Sequence, residues 1–236
     1  MSLLTIIQEF CGRTGVPKPS TVMASIADTQ ILQLVSLLQE EGTDLSKRGD
    51  WEGLTVEATH TTTAAEDQGA LTSIATNGFR YIKNQTLWDR TDRLPIPLIG
   101  STDWQRMKAI VNTGPRYRYR IRQGHLLMTP TPAASHSLAF EYLSKNWILG
   151  ADGTTYKTAF TLDTDTVLLP EDLMLQGLRW RWKREKGMDY AEDFRTYESQ
   201  IKQDLGRDGG KEWLQMDGQP FHASPAIIVP QGSWTL

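Results

Sequence analysis

Cysteine is almost absent: Cys11 is the only one in 236 residues. A single cysteine closes no intrachain disulfide, so a disulfide-stapled scaffold is excluded and a reducing site of synthesis fits. Cys11 lies on the apolar side of a short helical pattern and reads as core filler rather than a nucleophile. Histidine is scarce as well, and His60, His125, His136 and His222 show no ligand spacing between any two. There is no Gly-x-Gly-x-x-Gly, no phosphate loop ending in Gly-Lys-Ser/Thr and no His-Glu-x-x-His. A Gly-x-Ser-x-Gly elbow is missing too. Asp163-x-Asp165, with Asp152 upstream, lacks the glycine and the distant glutamate of a calcium loop, and turn aspartates explain it. The expectation is therefore a protein that is not an enzyme and holds no cofactor or metal.

Long hydrophobic runs are also lacking, so no bilayer-spanning segment is expected. The start, Met1-Ser-Leu-Leu-Thr-Ile-Ile-Gln-Glu-Phe10, lacks the basic region and cleavage site of a signal peptide. Charge of one sign is not in excess: the net charge is -3, which argues against nucleic-acid binding by the chain as a whole. What remains is a globular composition, 39% hydrophobic, long enough to bury a core in one large or two small domains.

The strongest local pattern runs from Leu168 to Leu205 and predicts two consecutive helices. Pro170 suits a first helical position, with Glu171 and Asp172 at the positive end of the dipole and Lys183, Arg184 and Lys186 near the negative end. Gly187 is a left-handed stop. Asp189 with Glu192 forms a variant capping box for the second helix. Tyr190, Phe194, Tyr197, Ile201 and Leu205 then share one face. On the first helix, Arg179, Arg181, Lys183 and Arg184 are threaded between two apolar stripes that end in Trp180 and Trp182. Long cationic stems over apolar surface are one account. A second buried face against a neighbouring subunit is the other, with Arg179, Trp180, Arg181, Trp182 and Arg184 as its residues, since Trp and Arg are enriched at interface hot spots.

Upstream, Leu3, Ile6, Ile7, Phe10 and Cys11 predict a helix ended by Gly12 and Gly15. Ser25 with Asp28 predicts a capping box, Ile31, Leu34, Val35 and Leu38 a helical stripe, and Gly42 its stop. After Trp51 the period changes. Leu54-Thr-Val-Glu-Ala-Thr-His-Thr-Thr62 predicts a strand, Ala64–Gly78 a long loop, and Phe79–Trp88 another strand. Leu94-Pro-Ile-Pro-Leu98 is excluded from a central strand. Thr102 with Gln105 predicts a short capped helix bearing Trp104, Met107 and Val111. Pro115–Pro130 predicts a hairpin turning at Gln123-Gly124. Leu138–Leu143 predicts a strand, Trp147–Gly153 a loop and Tyr156–Leu162 a last strand. The fold class is α+β: a helical bundle from both chain ends (1–50 and 165–208), an inserted, mostly antiparallel β-module (51–164) and an extended C-terminal arm (209–236).

Two further features invite a partner. Arg116, Arg118, Arg120 and Arg122 alternate with Tyr117, Tyr119 and Ile121, which puts four cations on one strand face at a repeat of about 7 Å. A phosphate backbone or the acids of another subunit would suit them, as would plain solvent. The last 28 or so residues have no sustained period, yet contain Trp213, Leu214, Phe221, Ile227, Ile228, Val229 and Trp234. Solvating tails are poor in such residues, and segments of this kind often fold on a partner; docking on its own domain is the alternative.

Four stretches carry a family likeness. They are the helical start through Ser25-Ile-Ala-Asp28 to Arg48-Gly-Asp-Trp51, then Thr86-Leu-Trp-Asp-Arg-Thr-Asp-Arg-Leu-Pro95 running to Ser101-Thr-Asp-Trp-Gln105. The third is Leu138-Ala-Phe-Glu-Tyr-Leu-Ser-Lys-Asn-Trp147. The fourth is Leu169-Pro-Glu-Asp-Leu173 through Lys183, with Gly187-Met-Asp-Tyr-Ala-Glu-Asp-Phe194 and Tyr197. Over about residues 1–205 the chain resembles the head-to-tail adaptor (connector) proteins of short-tailed bacteriophages; Gln68 to Gly78 departs from the pattern. The resemblance implies a structural virion protein at the head–tail junction, made in the bacterial cytoplasm. It implies a ring of twelve copies below the portal protein that extends the DNA channel and attaches the tail nozzle. Genomic DNA would pass without sequence-specific binding, and the arm would bind the portal or a neighbour. A nucleic-acid-binding module using the Arg116–Arg122 strand is the alternative function.

Overall fold

The computed structural model describes residues 1–83, 85–110 and 116–208. The chain begins with helix α1 (Leu3–Thr14), whose first turn is capped by the Ser2 hydroxyl accepting from the Thr5 amide at 3.3 Å. Gly15, at φ 72°, ends it, as a residue without Cβ does cheaply. Gly12 lies inside the helix rather than at its end. Helix α2 (Thr29–Leu45) is capped by Asp28, which accepts from the Gln30 amide at 2.8 Å. Ser25 therefore does not open it; the Asp28 carboxylate supplies the first-turn acceptor alone. Gly42 does not close it either. The helix runs through Gly42 because the Trp147 ring lies against that position, where a Cβ would overlap it. Packing thus overrides the roughly 1 kcal/mol helix penalty of glycine.

A single 3-10 turn (Glu52–Leu54) leads into strand β1 (Thr55–Thr61). Strand β2 (Asp67–Ala70), the one-turn helix α3 (Leu71–Ile74) and strand β3 (Phe79–Ile82) follow. The predicted loop over Ala64–Gly78 thus holds a strand and a helical turn. Its polar composition hid the strand, whose pairing with β7 shifts register between Asp67 and Ala70. The predicted strand Phe79–Trp88 is two strands, β3 and the two-residue β4 (Trp88–Asp89). Strand β5 (Leu94–Pro95) sits at a sheet edge, where a missing proline donor costs nothing. Helix α4 (Ser101–Ala109) starts after Gly100 with no side-chain cap, so Thr102 is a helical residue and not the cap; Val111 lies outside the described residues.

Strands β6 (Arg118–Arg122) and β7 (His125–Thr129) form the predicted hairpin, with Gln123 and Gly124 both at positive φ, the backbone of a two-residue turn. Strand β8 (Ser137–Ser144) pairs with β1 along its length and with β3 and β4 on its other edge. Its face of Leu138, Phe140, Tyr142 and Ser144 is buried, while Ser137 and Glu141 of the other face are exposed. Short strands β9 (Ile148–Leu149), β10 (Tyr156–Lys157) and β11 (Thr166–Val167) form a third sheet. The predicted loop Trp147–Gly153 therefore carries a strand, and the predicted strand Tyr156–Leu162 shrinks to two residues. Helices α5 (Glu171–Glu185) and α6 (Ala191–Leu205) close the described chain, separated by Gly187 at φ 68°. Pro170 is the residue before α5, not its first. The Asp189 carboxylate accepts from the Ala191 amide at 3.1 Å, capping α6 from one residue further out than a standard N-cap.

The fold is α+β, with antiparallel strand pairs in all three sheets. One core gathers helices α1, α2, α5 and α6: Leu3, Phe10, Leu38, Leu173, Leu178, Trp180 and Tyr197 share it with Trp51, Leu143, Trp147 and Phe160. A second lies between the two larger sheets, around Tyr119, Leu126, Met128, Leu138 and Phe140. No helix among the described residues is long and apolar enough to cross a membrane. The expected arm, 209–236, lies outside the described residues.

Candidate functional site

The most heavily charged buried place joins α2, α5 and α6. Glu41 falls on the apolar side of α2, four residues after Leu37 and four before Leu45, and is fully buried. A bare carboxylate there would be very costly. Arg181 of α5 answers it: its Nε donates to Glu41 Oε2 at 2.6 Å and a terminal nitrogen donates to Asp44 at 3.0 Å. The remaining terminal nitrogen pairs with Glu40. The Tyr197 hydroxyl of α6 donates to the other Glu41 oxygen. Gly177 makes room, since a Cβ on it would overlap the Glu41 carboxyl group. Burial pushes Glu41 above the ordinary carboxylate range, and the Arg181 and Tyr197 donors oppose that shift. Tyr197 is pushed far up by burial and by the adjoining carboxylate. Arg48 extends the network, meeting Asp44 at 3.1 Å and also Glu198.

Aromatic rings cover this cluster. The Arg181 guanidinium lies 4.6 Å from the Trp180 ring centre and that of Arg184 5.3 Å. Trp180 also packs on Phe194, at 5.0 Å between ring centres, and on Tyr190 and Tyr197. Toward the α5–α6 turn the packing opens, and Met188, Tyr190 and Phe194 are more than a third exposed.

The five residues expected to face a neighbouring subunit are therefore not equivalent. Arg181, 4% exposed, and Trp180, 6% exposed, are occupied within the chain, because Glu41 must be neutralised and the α5–α6 seam must be filled. Trp182 packs edge-on against Phe10 at 5.7 Å. Arg179 and Arg184 are exposed; they meet Asp193 at 3.4 Å and Glu185 at 3.0 Å. The seven arm residues, Trp213 to Trp234, lie outside the described residues.

The arginine strand has a different environment. β6 begins at Arg118, so Arg116 precedes it. Tyr119 is buried in the second core, with Tyr117 and Ile121 against it, while the arginines point away from that core. Arg120 donates to the Ser101 hydroxyl at 2.8 Å and Arg118 to the Tyr117 carbonyl at 3.4 Å. Among the described residues, none of the four comes within 4.0 Å of a carboxylate, whereas Lys108, Arg106 and His125 nearby each hold one.

One place could have been found in the sequence and was not, and a second is assembled only by the fold. Glu41 stands at an apolar stripe position, which signals a buried acid needing a cation. Asp89, Asp92 and His136 come together, 47 positions apart in the chain for the pair His136–Asp89, whose atoms lie 2.8 Å apart. Asp89 also accepts from the Thr91 and Asp92 amides, so this buried carboxylate is fully occupied by a turn. The calcium-loop aspartates are structural as well. Asp163 accepts from the Val22 and Met23 amides, and buried Asp165 from Lys157 and the Thr161 and Leu162 amides. Cys11 is buried, and burial pushes its thiol up.

Comparison with individually curated proteins finds no match. A family model described as SU10 adaptor protein matches residues 1–223. The chain belongs to that family, which is a family of structural adaptors.

Proposed function

We propose that this member of the SU10 adaptor family is a bacteriophage virion protein of the head–tail junction, assembled as a ring of twelve copies below the portal protein. The ring extends the DNA channel and carries the tail nozzle; genomic DNA passes through without sequence-specific contact. The observation that carries the reading is the family match over residues 1–223. The open end of the α5–α6 pair supports it. There Met188, Tyr190 and Phe194 stand beside exposed Arg179 and Arg184, an apolar surface with a charged rim of the kind that meets a partner.

A ring needs two different, complementary patches on each copy. In this reading the α5–α6 end is one, and it meets a second copy of the chain. The arm, with Trp213, Leu214, Phe221, Ile227, Ile228, Val229 and Trp234, is the other and reaches the portal or the neighbouring subunit.

Native mass measurement tests this. The purified chain is weighed alone and after mixing with portal rings of the same phage. A subunit that joins the portal in a fixed multiple, and fails to do so without residues 210–236, supports the reading. A chain that never joins the portal overturns it.

A further inference from the structure

The four arginines at β6 are explained neither by the core nor by the ring contacts proposed above. On a chain of net charge -3, most of the other arginines, Arg13, Arg48, Arg90 and Arg181 among them, sit beside an acid of this chain. Around β6 the local acids are already engaged: Asp67 by His125, Glu66 by Lys108 and Asp103 by Arg106. Among the described residues Arg116, Arg118, Arg120 and Arg122 form no ion pair within 4.0 Å, and Arg122 alone acts on a nearby acid, Asp67, from a longer distance. Their platform is rigid. The β6–β7 register is set over five residue pairs by the Gln123-Gly124 turn. The outer edge of β6 is covered by the 97–99 segment, with Tyr119 donating to the Pro97 carbonyl and accepting from the Ile99 amide, both at 3.1 Å. Tyr119, 1% exposed, anchors the strand from beneath.

We propose that this face rests against the sugar-phosphate backbone of double-stranded DNA. Alternate strand residues repeat at about 7 Å, so the face presents a row of separate guanidiniums, each able to meet its own phosphate along a duplex backbone. Arginine presents a fork of donors that matches a phosphate, and Arg118 and Arg120 each use only one donor within the chain. The chemistry also says what the face does not read. The arginine positions of β6 are not interleaved with an aromatic ring on that face, so single-stranded bases find no stacking platform there. Asn and Gln are absent from its four positions, so adenine edges find no bidentate reader. The face therefore serves duplex DNA without regard to sequence. This rests on the channel reading for why a duplex would pass by, yet it is measurable without a ring.

The test is fluorescence anisotropy of the full chain with a labelled duplex of about 30 base pairs, titrated between about 50 and 200 mM salt. Three to four phosphate contacts give a log–log salt slope near -3 and a loss of roughly fifty- to a hundredfold across that range. Arg116→Gln with Arg122→Gln, both at exposed positions, lowers the slope by about two while leaving the melting temperature unchanged. Arg118→Glu with Arg120→Glu abolishes binding, and Arg118→Lys with Arg120→Lys keeps the slope with only weakened affinity. No binding at the lowest salt, or equal binding by wild type and all variants, overturns the proposal. So does a result in which DNA is ignored but portal joining is lost in these variants, because the face then meets an acidic protein. Portal joining by the wild type is scored separately. Its failure alone would sink the adaptor reading and leave the DNA contact standing.

Discussion

The arginines of α5 and those of β6 are the same residue in opposite surroundings. Arg181 is almost fully buried, and three carboxylates and an indole ring surround its guanidinium. Arg118 and Arg120 are half-exposed and hold one neutral acceptor each. On α5 the charge exists because Glu41 is inside; the pair is an internal pin for three helices. On β6 nothing inside requires the charge, so its use lies outside the chain. Local sequence is similar in both places, with cations alternating among aromatics. The acids brought from elsewhere by the fold decide which group is structural.

The sharpest way to break this contrast is to remove Arg181. Arg181→Ala leaves Glu41 buried and unpaired, and the expected loss is about 3–5 kcal/mol in urea unfolding. A protonated Glu41 needs no counter-charge, and its carboxyl is already held above the ordinary range, so the loss should shrink as the pH is lowered from neutral. A loss under about 1 kcal/mol, or one independent of pH, would mean that the pin is not electrostatic. Arg181→Lys keeps the charge but not the three-way fork and should fall between.

Gly42 sharpens the comparison from the packing side. Gly42→Ala improves helix propensity by about 1 kcal/mol, but the new methyl overlaps the Trp147 ring. Overpacking a filled core costs about 1–3 kcal/mol, and the aromatic ring has little room to yield, so net destabilisation in thermal unfolding is expected. A more stable variant would show that Trp147 moves freely.

His136 is the β-region's own cation on a buried acid, and unlike Arg181 it titrates. The hydrogen bond with Asp89 raises its pKa above the ordinary 6.5. A raised histidine contributes stability that is complete below about 6.5 and lost as the pH rises through the raised value. The melting-temperature gap between the wild type and His136→Asn should therefore be widest below about pH 6.5 and narrow as the pH rises through the raised value. A gap that grows with pH would reverse the assignment.

How much of this was legible follows the range of the interactions. Both late helices, the Gly187 stop, the β6–β7 hairpin and the edge position of Pro95 rest on neighbours a few residues apart, and their periodicity shows them. The true end of α2 was hidden because Trp147 lies over 100 positions from Gly42. Strand β2 was hidden because its polar residues are held by pairing with β7, not by their own propensity. The same limit applied to the site: the sequence groups Arg179, Trp180, Arg181, Trp182 and Arg184 as one set that could face a partner, and only the arrival of Glu41 separates Trp180 and Arg181 from their exposed neighbours.

The smallest expected effect is the one that most cleanly separates the two arginine groups. Arg118→Gln with Arg120→Gln removes two like charges from one strand face and breaks no ion pair. Surface changes of this sort stay within about 0.5 kcal/mol. Relief of like-charge repulsion should place this one on the stabilising side at low salt. The gain should fade as salt is raised, because screening already removes the repulsion it relieves. Urea unfolding at two salt concentrations measures it. A loss above about 1 kcal/mol would mean that these guanidiniums have an internal partner after all, and the β6 face would then belong with α5 as part of the fold.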